Sequence, residues 1–179
     1  RILEKRFLID IPNPIAVDIA SNDGTLLSGY SNVVSTIGID PLIDVVSDYY
    51  PKGAVKIKEF FTEKSYFKRS TRKAHLVTSL SVIYDLDDPI QFAQDVADIL
   101  IDGGIWHFEQ SYLISMVRTL SYDTICHEHI LYLRLADIER VLLESGFQLL
   151  EASLNEINGG SIAITAVKSS KRIQRDPFI

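Results

Sequence analysis

The sequence has almost no cysteine and no long hydrophobic run. Cys126 is the only cysteine in the 179 residues, which excludes an internal disulfide and a cysteine-rich zinc site and favours a reducing, cytoplasmic location. No stretch approaches the roughly 18 apolar residues of a membrane-spanning helix, and the N-terminus lacks a signal-peptide pattern. We therefore expect no association with a membrane.

The chain also lacks an excess of positive charge. Its 18 lysines and arginines against 24 aspartates and glutamates give a net charge of −6, which would repel nucleic acid rather than recruit it. Hydrophobic residues at 46% and charged residues at 23% are typical of a globular chain, and the length suits one domain. We place that domain at residues 1–168 and a polar basic tail at residues 169–179.

Short apolar segments alternate with helical patterns, which predicts a mainly parallel sheet covered by helices on both faces. The helix that begins at Asp88-Pro89 has the clearest signals, an aspartate cap and a proline in the first turn, and Gly103-Gly104 is expected to end it. The first five strands are expected at residues 15–20, 33–39, 54–57, 74–80 and 105–109, and the other helices at 25–30, 42–49 and 136–144.

Residues 147–152 and 161–167 predict a closing antiparallel hairpin with Asn158-Gly159-Gly160 as its turn. No crossover helix separates these two segments, so they are expected to run antiparallel to each other. The predicted fold class is therefore α/β, a doubly wound, mainly parallel seven-stranded sheet with a C-terminal antiparallel hairpin.

Polar and small residues follow the first two predicted strands. In a doubly wound sheet, ligands bind beyond the carboxyl ends of the strands. The first strand delivers Asp18 and then a turn with Ala20, Asn22 and Gly24. The second delivers Asp40 about twenty residues later, a position suited to bonding ribose hydroxyls. An ordinary tight turn with two coincidental acids is the alternative.

The dinucleotide pattern G-x-G-x-x-G is absent, because Ala20 and Asn22 stand where glycines are expected. This disfavours a pyrophosphate-containing cofactor, which needs several backbone N–H groups around its charge. The carboxylate of Asp18 instead favours a ligand with an ammonium group. S-adenosylmethionine (SAM) carries an ammonium and a sulfonium but no phosphate.

Four further side chains are candidates for the two ends of such a cofactor. Phe60 or Phe61 suits the adenine face, with core packing as the alternative for one of the pair. Thr78 and Ser79 end the fourth strand at the ligand edge, where they are candidates for bonding the methionyl group.

The segment 122–129, YDTICHEH, holds two of the four histidines and a glutamate just after the fifth strand. A histidine beside a carboxylate is suited to general-base chemistry near neutral pH. In an extended segment only His127 and His129 would share a face. A polar surface loop is one alternative. A metal site with Cys126 is disfavoured because adjacent ligands rarely complete a tetrahedron, so we expect no metal.

Several segments together resemble one protein family. DIASNDGTLL at residues 18–27, GIDP at 38–41 and EFF at 59–61 resemble the first three cofactor motifs of class I SAM-dependent methyltransferases. More narrowly, the chain resembles the sugar C-methyltransferase family, whose members methylate a carbon beside the keto group of nucleotide-linked deoxysugars. YDLDDP at 84–89, FEQSYL at 108–113, YDTICHEH at 122–129 and NGGS at 158–161 carry this narrower likeness.

The resemblance implies a Rossmann-like fold, SAM as cofactor with Pro41 among its contacts, and a small-molecule acceptor such as a sugar nucleotide. Methyl transfer to carbon requires a base for the C–H beside the ketone. We assign His129 as that base, Glu128 to a substrate hydroxyl or to polarising the imidazole, and His127 to an assisting role. The residues expected to contact the acceptor are Tyr84, Gln110, Tyr112, Tyr122 and Asn158.

The sequence departs from the family in two ways. Members typically carry a cysteine-rich zinc-binding lobe before this core and an α/β lobe after it, and these 179 residues include neither. Some members place a histidine after the fourth strand, where this chain has Val82 and Tyr84. The alternatives are an O- or N-methyltransferase acting on another small molecule and a non-catalytic SAM-binding module. A NAD-linked oxidoreductase is disfavoured by the turn after the first strand.

Overall fold

The computed structural model describes residues 1–46 and 49–169, which contain one seven-stranded sheet. Its strand order is β3-β2-β1-β4-β5-β7-β6. Strands β1 to β5 pair in parallel, and β7 is antiparallel to both of its neighbours, β5 and β6. The predicted fold class is confirmed. The strands are β1 (Ile15–Ile19), β2 (Ser35–Ile39), β3 (Val55–Ile57), β4 (Ala74–Leu80), β5 (Leu100–Ser111), β6 (Phe147–Asn155) and β7 (Ser161–Lys168).

Helices cover both faces of this sheet, as predicted. One face carries a large apolar core that contains Val17, Trp106 and Ile164, and the opposite face packs Ala16 and Leu76 into a second core. Burial of such side chains contributes about 1.5–3 kcal/mol each for the larger ones. The helices are α1 (Ile2–Phe7), α2 (Thr25–Ser28), α3 (Glu63–Phe67), α4 (Pro89–Ile99), α5 (Leu113–Thr119) and α6 (Leu135–Glu144), and single 3₁₀ turns lie at Ile83–Asp85, Tyr122–Thr124 and Ile157–Gly159.

Helix α4 begins as predicted but ends earlier. The side chain of Asp88 accepts a hydrogen bond from the backbone N–H of Gln91 at 2.9 Å, and Pro89 is the first helical residue. The helix stops at Ile99, so the prediction that Gly103-Gly104 ends it is wrong. Leu100 is fully buried and already pairs with Ala74, and a register irregularity next to that pair accommodates the two glycines within β5.

The helix predicted for residues 42–49 is absent from the described part of that segment. Residues 41–46 form turns, and residues 47 and 48 lie outside the described residues. Leu42 and Val45 are exposed and Ile43 alone is buried, so the segment lacks the continuous apolar stripe of a helix packed on the sheet. The ring of Tyr50 occupies the space beside Gly38 instead. The tail predicted at residues 169–179 also lies outside the described residues, except for Ser169.

The carboxyl ends of β1, β2, β4 and β5 lie at one edge of the sheet because these strands are parallel. The chain order reverses between β1 and β4, the neighbours at the centre of the sheet. A crevice opens at such a switch point, since the connections leave in opposite directions. The residues that follow these four strands therefore meet at one edge of the sheet, where a fold of this kind places its ligand crevice.

Gly160→Ala is expected to destabilise the fold. Gly160 has φ 123°, and an added Cβ would lie 2.4 Å from the Cβ of Ser115 on α5. Overpacking of this kind costs typically about 1–3 kcal/mol. Gly146→Ala is the matched control, because Gly146 has φ 79° and no neighbouring atom within 4 Å of the added Cβ. Denaturant unfolding should show the larger loss for Gly160→Ala, and equal losses would contradict the close packing on α5.

Candidate active site

The turn after β1 has the backbone shape of a glycine-rich turn although it holds a single glycine. Ala20 has φ 56°, Asn22 has φ 47° and Gly24 has φ 85°, all in the left-handed region. The N–H groups of Ala20 and Ser21 both donate to the carbonyl of Ile39, at 2.9 and 3.3 Å. Left-handed alanine and asparagine are strained, and such strain is concentrated at functional sites. Of the six non-glycine residues with positive φ in the described chain, only Asn13 lies away from the carboxyl-terminal edge of the sheet.

Tyr50 holds this turn against β2, a role that the sequence reasoning missed. An added Cβ would lie 2.4 Å from the Tyr50 ring at Gly24 and 2.5 Å from it at Gly38. The hydroxyl groups of Tyr50 and Ser21 are 2.5 Å apart, and Lys56 Nζ lies 4.8 Å from the centre of the ring. A glycine inside a strand indicates close approach of another group, so Gly38 was the available signal.

Asp40 links the turns after β1 and β2. Its Oδ2 accepts a hydrogen bond from the N–H of Asn22 at 3.1 Å, and its Oδ1 accepts one from the N–H of Leu42 at 2.7 Å. Each carboxylate oxygen can accept a further bond, so these contacts leave capacity for two ribose hydroxyls. Pro41 is half-buried directly beside this carboxylate.

Asp18 is buried beneath the turn. Its Oδ1 accepts a hydrogen bond from Thr78 Oγ1 at 2.6 Å, and only 4% of the residue is exposed. Burial raises the pKa of Asp18 to about 7, against the opposing effect of the Thr78 bond, and the negative charge of Asp40 raises it further. The carboxyl therefore gains or loses its proton near neutral pH, and a nearby ammonium group would favour the charged form.

The other predicted cofactor contacts separate into exposed and enclosed side chains. Phe60 is 81% exposed, whereas Phe61 packs edge-on against Phe92 with ring centres 5.3 Å apart. Phe60 is therefore the member of the pair that is free to contact an adenine ring. Ser79 is fully buried, and its hydroxyl accepts a hydrogen bond from Trp106 Nε1 at 3.0 Å. Both hydroxyls already have protein partners. The methionyl contacts predicted for Thr78 and Ser79 stay predictions.

The segment 122–129 is a 3₁₀ turn followed by a loop, not the extended segment that was expected. Nδ1 of His129 lies 2.8 Å from the carbonyl oxygen of Thr124. A carbonyl can only accept, so Nδ1 carries the proton and Nε2 is left as the basic nitrogen. The His129 ring also packs against Tyr84, with centroids 4.2 Å apart.

The two residues before His129 are far more exposed. The side chain of His127 is 92% exposed and that of Glu128 is 60% exposed, with His127 Nε2 3.1 Å from Glu128 Oε1. Only His129 is therefore fixed against the body of the protein.

Asp85 was missed by the sequence reasoning: burial raises its pKa, the charge of His129 lowers it, and that of Glu128 raises it. Its position directly after Tyr84 was the available signal.

The residues predicted to contact the acceptor occupy different depths. Tyr84 is buried beside His129, and Gln110 is 1% exposed at the end of β5. Tyr112 is half-buried at the start of α5, and Tyr122 is 82% exposed. Asn158, with φ 50°, is exposed in the turn that packs on α5. The structure thus brings Tyr84 and His129 into direct contact and spreads the others around the crevice.

Two features are absent from residues 1–46 and 49–169. Within these residues, no three His, Cys, Asp or Glu side chains converge as a set that could hold a metal ion. None of the helices found there has the length and apolar content needed to cross a membrane.

The strand order, the antiparallel β7 and the acids at the tips of β1 and β2 define a class I SAM-dependent methyltransferase fold. A protein-family model described as a methyltransferase domain matches residues 1–152, and the chain belongs to that family. Its fold and its family are therefore those of the SAM-dependent methyltransferases.

Individual relatives are distant. C-methyltransferase NovU of Streptomyces niveus is 24% identical over 159 residues, which cover 87% of this chain and 38% of that protein. The chain therefore spans well under half the length of this curated relative. A candidate methyltransferase from Bacillus halodurans has a TM-score of 0.71 at 13% identity, covering 94% of this chain and 97% of that one. The CurJ carbon methyltransferase has a TM-score of 0.64 at 16% identity, covering 94% and 51%.

Proposed function

We propose that this protein methylates a carbon beside the keto group of a nucleotide-linked sugar, with His129 as the general base. The observation that carries the proposal is the bond between His129 Nδ1 and the carbonyl of Thr124, which leaves Nε2 free to accept a proton. The likeness to NovU, itself named a C-methyltransferase, supports methylation at carbon. The likeness of segments 84–89, 108–113 and 122–129 to the sugar C-methyltransferase family supports the sugar acceptor.

The residues at the tips of β1 and β2 suit the three parts of SAM. The left-handed backbone at Ala20 and Asn22 allows close approach of a ligand, whereas Gly24, also predicted as a contact, faces the ring of Tyr50. Asp18 suits the ammonium group, and Asp40 suits the ribose hydroxyls. When bound, SAM supplies an electrophilic methyl group. The exposed ring of Phe60 and the side chain of Pro41 are assigned to contact the adenine ring of SAM. Thr78 orients the carboxyl of Asp18.

His129 removes the proton from the carbon that will receive the methyl group. Its ring is held from two directions, by the Thr124 carbonyl at Nδ1 and by the face of Tyr84. A positioned base contributes about 10²–10⁴-fold in rate. Correct placement of two reactants contributes about 7–11 kcal/mol, so positioning is the larger effect.

Glu128 directly precedes the base in the chain, and its side chain is exposed to solvent. Its carboxylate can therefore accept a hydrogen bond from a hydroxyl group of the acceptor. His127 is paired with it and assists in that contact. Tyr112, Tyr122 and Asn158 line the outer part of the acceptor site in this proposal, and residues 1–168 form the catalytic unit. The exposed free thiol of Cys126 suits a reducing, cytoplasmic setting.

The proposal is tested by incubating the protein with SAM and a nucleotide-linked ketodeoxysugar and locating the new methyl group by NMR. A new carbon–carbon bond beside the ketone is the expected result. A methyl group on oxygen or nitrogen would instead support the O- or N-methyltransferase alternative, in which His129 deprotonates a hydroxyl or amine. Tight SAM binding without turnover on any such sugar would support a binding module. Calorimetry with NAD, which should not bind, is the control for the cofactor class.

Binding of S-adenosylhomocysteine, which keeps the ammonium group, is expected to weaken as the pH falls below about 7. Below the raised pKa of Asp18, about 7, the fraction of the protein that carries the charged carboxylate falls about tenfold per pH unit, so affinity falls by up to the same factor. The same shift means that the folded state holds the proton more tightly than the unfolded state. Stability without ligand is therefore lost as the pH rises from about 4 to about 7.

Calorimetric titrations from about pH 7.5 to about pH 6 measure this dependence. Asp18→Asn should weaken binding at the upper end of that range and remove the dependence. Thr78→Val removes the donor to the Asp18 carboxylate, so it should raise the pKa of Asp18 further and move the loss of affinity to higher pH. An affinity that is constant with pH in the unmodified protein would contradict a charge interaction with Asp18.

A further inference from the structure

The described chain contains few buried side-chain polar atoms without a hydrogen-bond partner, and most of them lie at one place. Nε2 and Oε1 of Gln110 and Oγ of the next residue, Ser111, are enclosed and unpartnered at the carboxyl end of β5. The remaining case is Oε1 of Gln148, on β6. A buried polar group left without a partner destabilises the fold, so native proteins rarely retain one without cause.

Gln110 lies on the face of β5 that carries the largest core. Trp106, Phe108 and Gln110 are every second residue of the strand and therefore share one face. The rings of Trp106 and Phe108 are in contact, with centroids 4.4 Å apart. A leucine would continue this apolar row without the energetic cost of an amide. The chain places both a donor and an acceptor there instead.

The end of β5 adjoins the proposed base through a short series of contacts. The N–H of Ser81 donates to the carbonyl of Glu109, the residue before Gln110, at 2.8 Å. Ser81 has a strained φ of 60° and leads into the 3₁₀ turn that contains Tyr84. The ring of Tyr84 contacts the ring of His129. Gln110 is therefore a buried amide at a strand end that connects to the base through Ser81 and Tyr84.

We propose that Gln110 Nε2 donates the hydrogen bond that stabilises the enolate oxygen of the acceptor, an assignment that depends on the proposed function. When the C–H bond breaks, the proton moves to His129 Nε2 and its electron pair forms a C=C bond. The electrons of the carbonyl then move onto oxygen, which becomes the charged acceptor for Gln110 Nε2–H. Re-formation of the carbonyl returns the electron pair to the carbon, which would bond the methyl group as the methyl–sulfur bond breaks, with the electron pair of that bond left on the sulfur of S-adenosylhomocysteine. His129 then releases its proton to solvent.

Oε1, the other unpartnered atom of the Gln110 amide, indicates which chemical class of acceptor substrate the site would bind. Oε1 of Gln110 can only accept, so it suits a hydroxyl that lies beside the keto oxygen. The amide as a whole is complementary to a hydroxyketone, which presents one acceptor and one donor side by side. A site that bonds a substrate hydroxyl discriminates strongly against the analogue that lacks it, since its own polar atom is then unpaired.

The acceptor reaches the amide only if the covering segment moves. Residues 130–133, which follow the base, return past the end of β5, where the N–H of Leu131 donates to the carbonyl of Tyr84 at 2.9 Å and the N–H of Leu113 donates to the carbonyl of Leu133 at 3.3 Å. Displacing this segment breaks these two backbone bonds and part of the packing of Leu133 against the core. The bond from the acceptor to Gln110 offsets part of that loss.

The test isolates proton removal from methyl transfer. The full chain is mixed with a nucleotide-linked ketodeoxysugar and S-adenosylhomocysteine in deuterated water, and NMR follows deuterium uptake at the carbon beside the ketone. Gln110→Leu is expected to slow the exchange by about 10²-fold or more, the loss typical of one oxyanion donor. Binding of S-adenosylhomocysteine should not change, and thermal stability should be equal or higher, because an unpartnered amide is removed.

Gln148→Leu is the matched control, since it removes a buried unpartnered oxygen that is remote from the crevice, and it should leave the exchange rate unchanged. Gln110→Met, with an unbranched side chain, should repeat the loss seen for Gln110→Leu. Exchange at the parent rate in both Gln110 variants, or a clear loss of stability in both, would overturn the enolate assignment alone. Absence of exchange in the unmodified protein with every such sugar would overturn the proposed function and this assignment with it.

Discussion

His129→Ala is expected to lose about 10²–10⁴-fold in turnover while binding SAM with nearly unchanged affinity. The side chain is fixed by the Thr124 carbonyl and the ring of Tyr84, both outside the proposed cofactor contacts. Its removal therefore takes away the base and leaves the tips of β1 and β2 intact. Steady-state kinetics with a nucleotide-linked ketodeoxysugar, together with calorimetry for SAM, measure the two quantities separately.

Two variants sharpen this test. His129→Asn keeps a side-chain donor but has no basic nitrogen, so it should lose as much turnover as His129→Ala. His107→Asn is the histidine control: His107 is half-buried on β5, with Nδ1 3.0 Å from Thr165 Oγ1 and no part in the proposed site. Normal turnover in His129→Ala, or an equal loss in His107→Asn, would remove the proposed base.

Asp40→Ala is expected to raise the dissociation constant of SAM by about 10²-fold or more. Hydrogen bonds to a charged group contribute about 1.5–3 kcal/mol each, and the carboxylate is assigned two ribose hydroxyls. The same substitution removes the acceptor for the N–H groups of Asn22 and Leu42, so the turn that approaches the ligand also loosens. Calorimetric titration with SAM measures the change.

Asp44→Ala is the control for Asp40→Ala because Asp44 is an exposed acid four residues further along, paired with Lys58. An exposed pair of this kind contributes little, so SAM affinity should not change. Asp40→Asn keeps one oxygen acceptor and should give an intermediate loss. If Asp40→Ala bound SAM as tightly as the unmodified protein, the ribose contact would have to lie elsewhere.

The strands of the sheet centre were predicted well because their signal is local. Strand β4 was predicted at its observed bounds, and β1 to within one residue, since both are short apolar runs with turn residues on each side. The predictions failed where tertiary packing overrides a local signal. Gly103 and Gly104 read as a helix end but lie within β5, and residues 42–46 form turns in which only Ile43 is buried.

The candidate site was predictable as a set of residue types but not as an arrangement. Acids at the ends of consecutive parallel strands must meet at one edge, so Asp18 and Asp40 follow from the order of strands and turns. The choice between Phe60 and Phe61, and the exposure of His127 against the fixed ring of His129, depend on packing between distant segments. No local pattern reports such packing.

The order of apolar runs and turns determined the fold class, and residue chemistry at the strand ends determined that a charged, phosphate-free nucleoside suits the crevice. Only the tertiary structure decided which nitrogen of His129 is basic, how far burial raises the pKa of Asp18 and that Gln110 has no partner. The physical reason is range. Backbone preference and hydrophobic periodicity act over a few residues, whereas desolvation and hydrogen-bond partnership depend on atoms that the chain brings together from far apart.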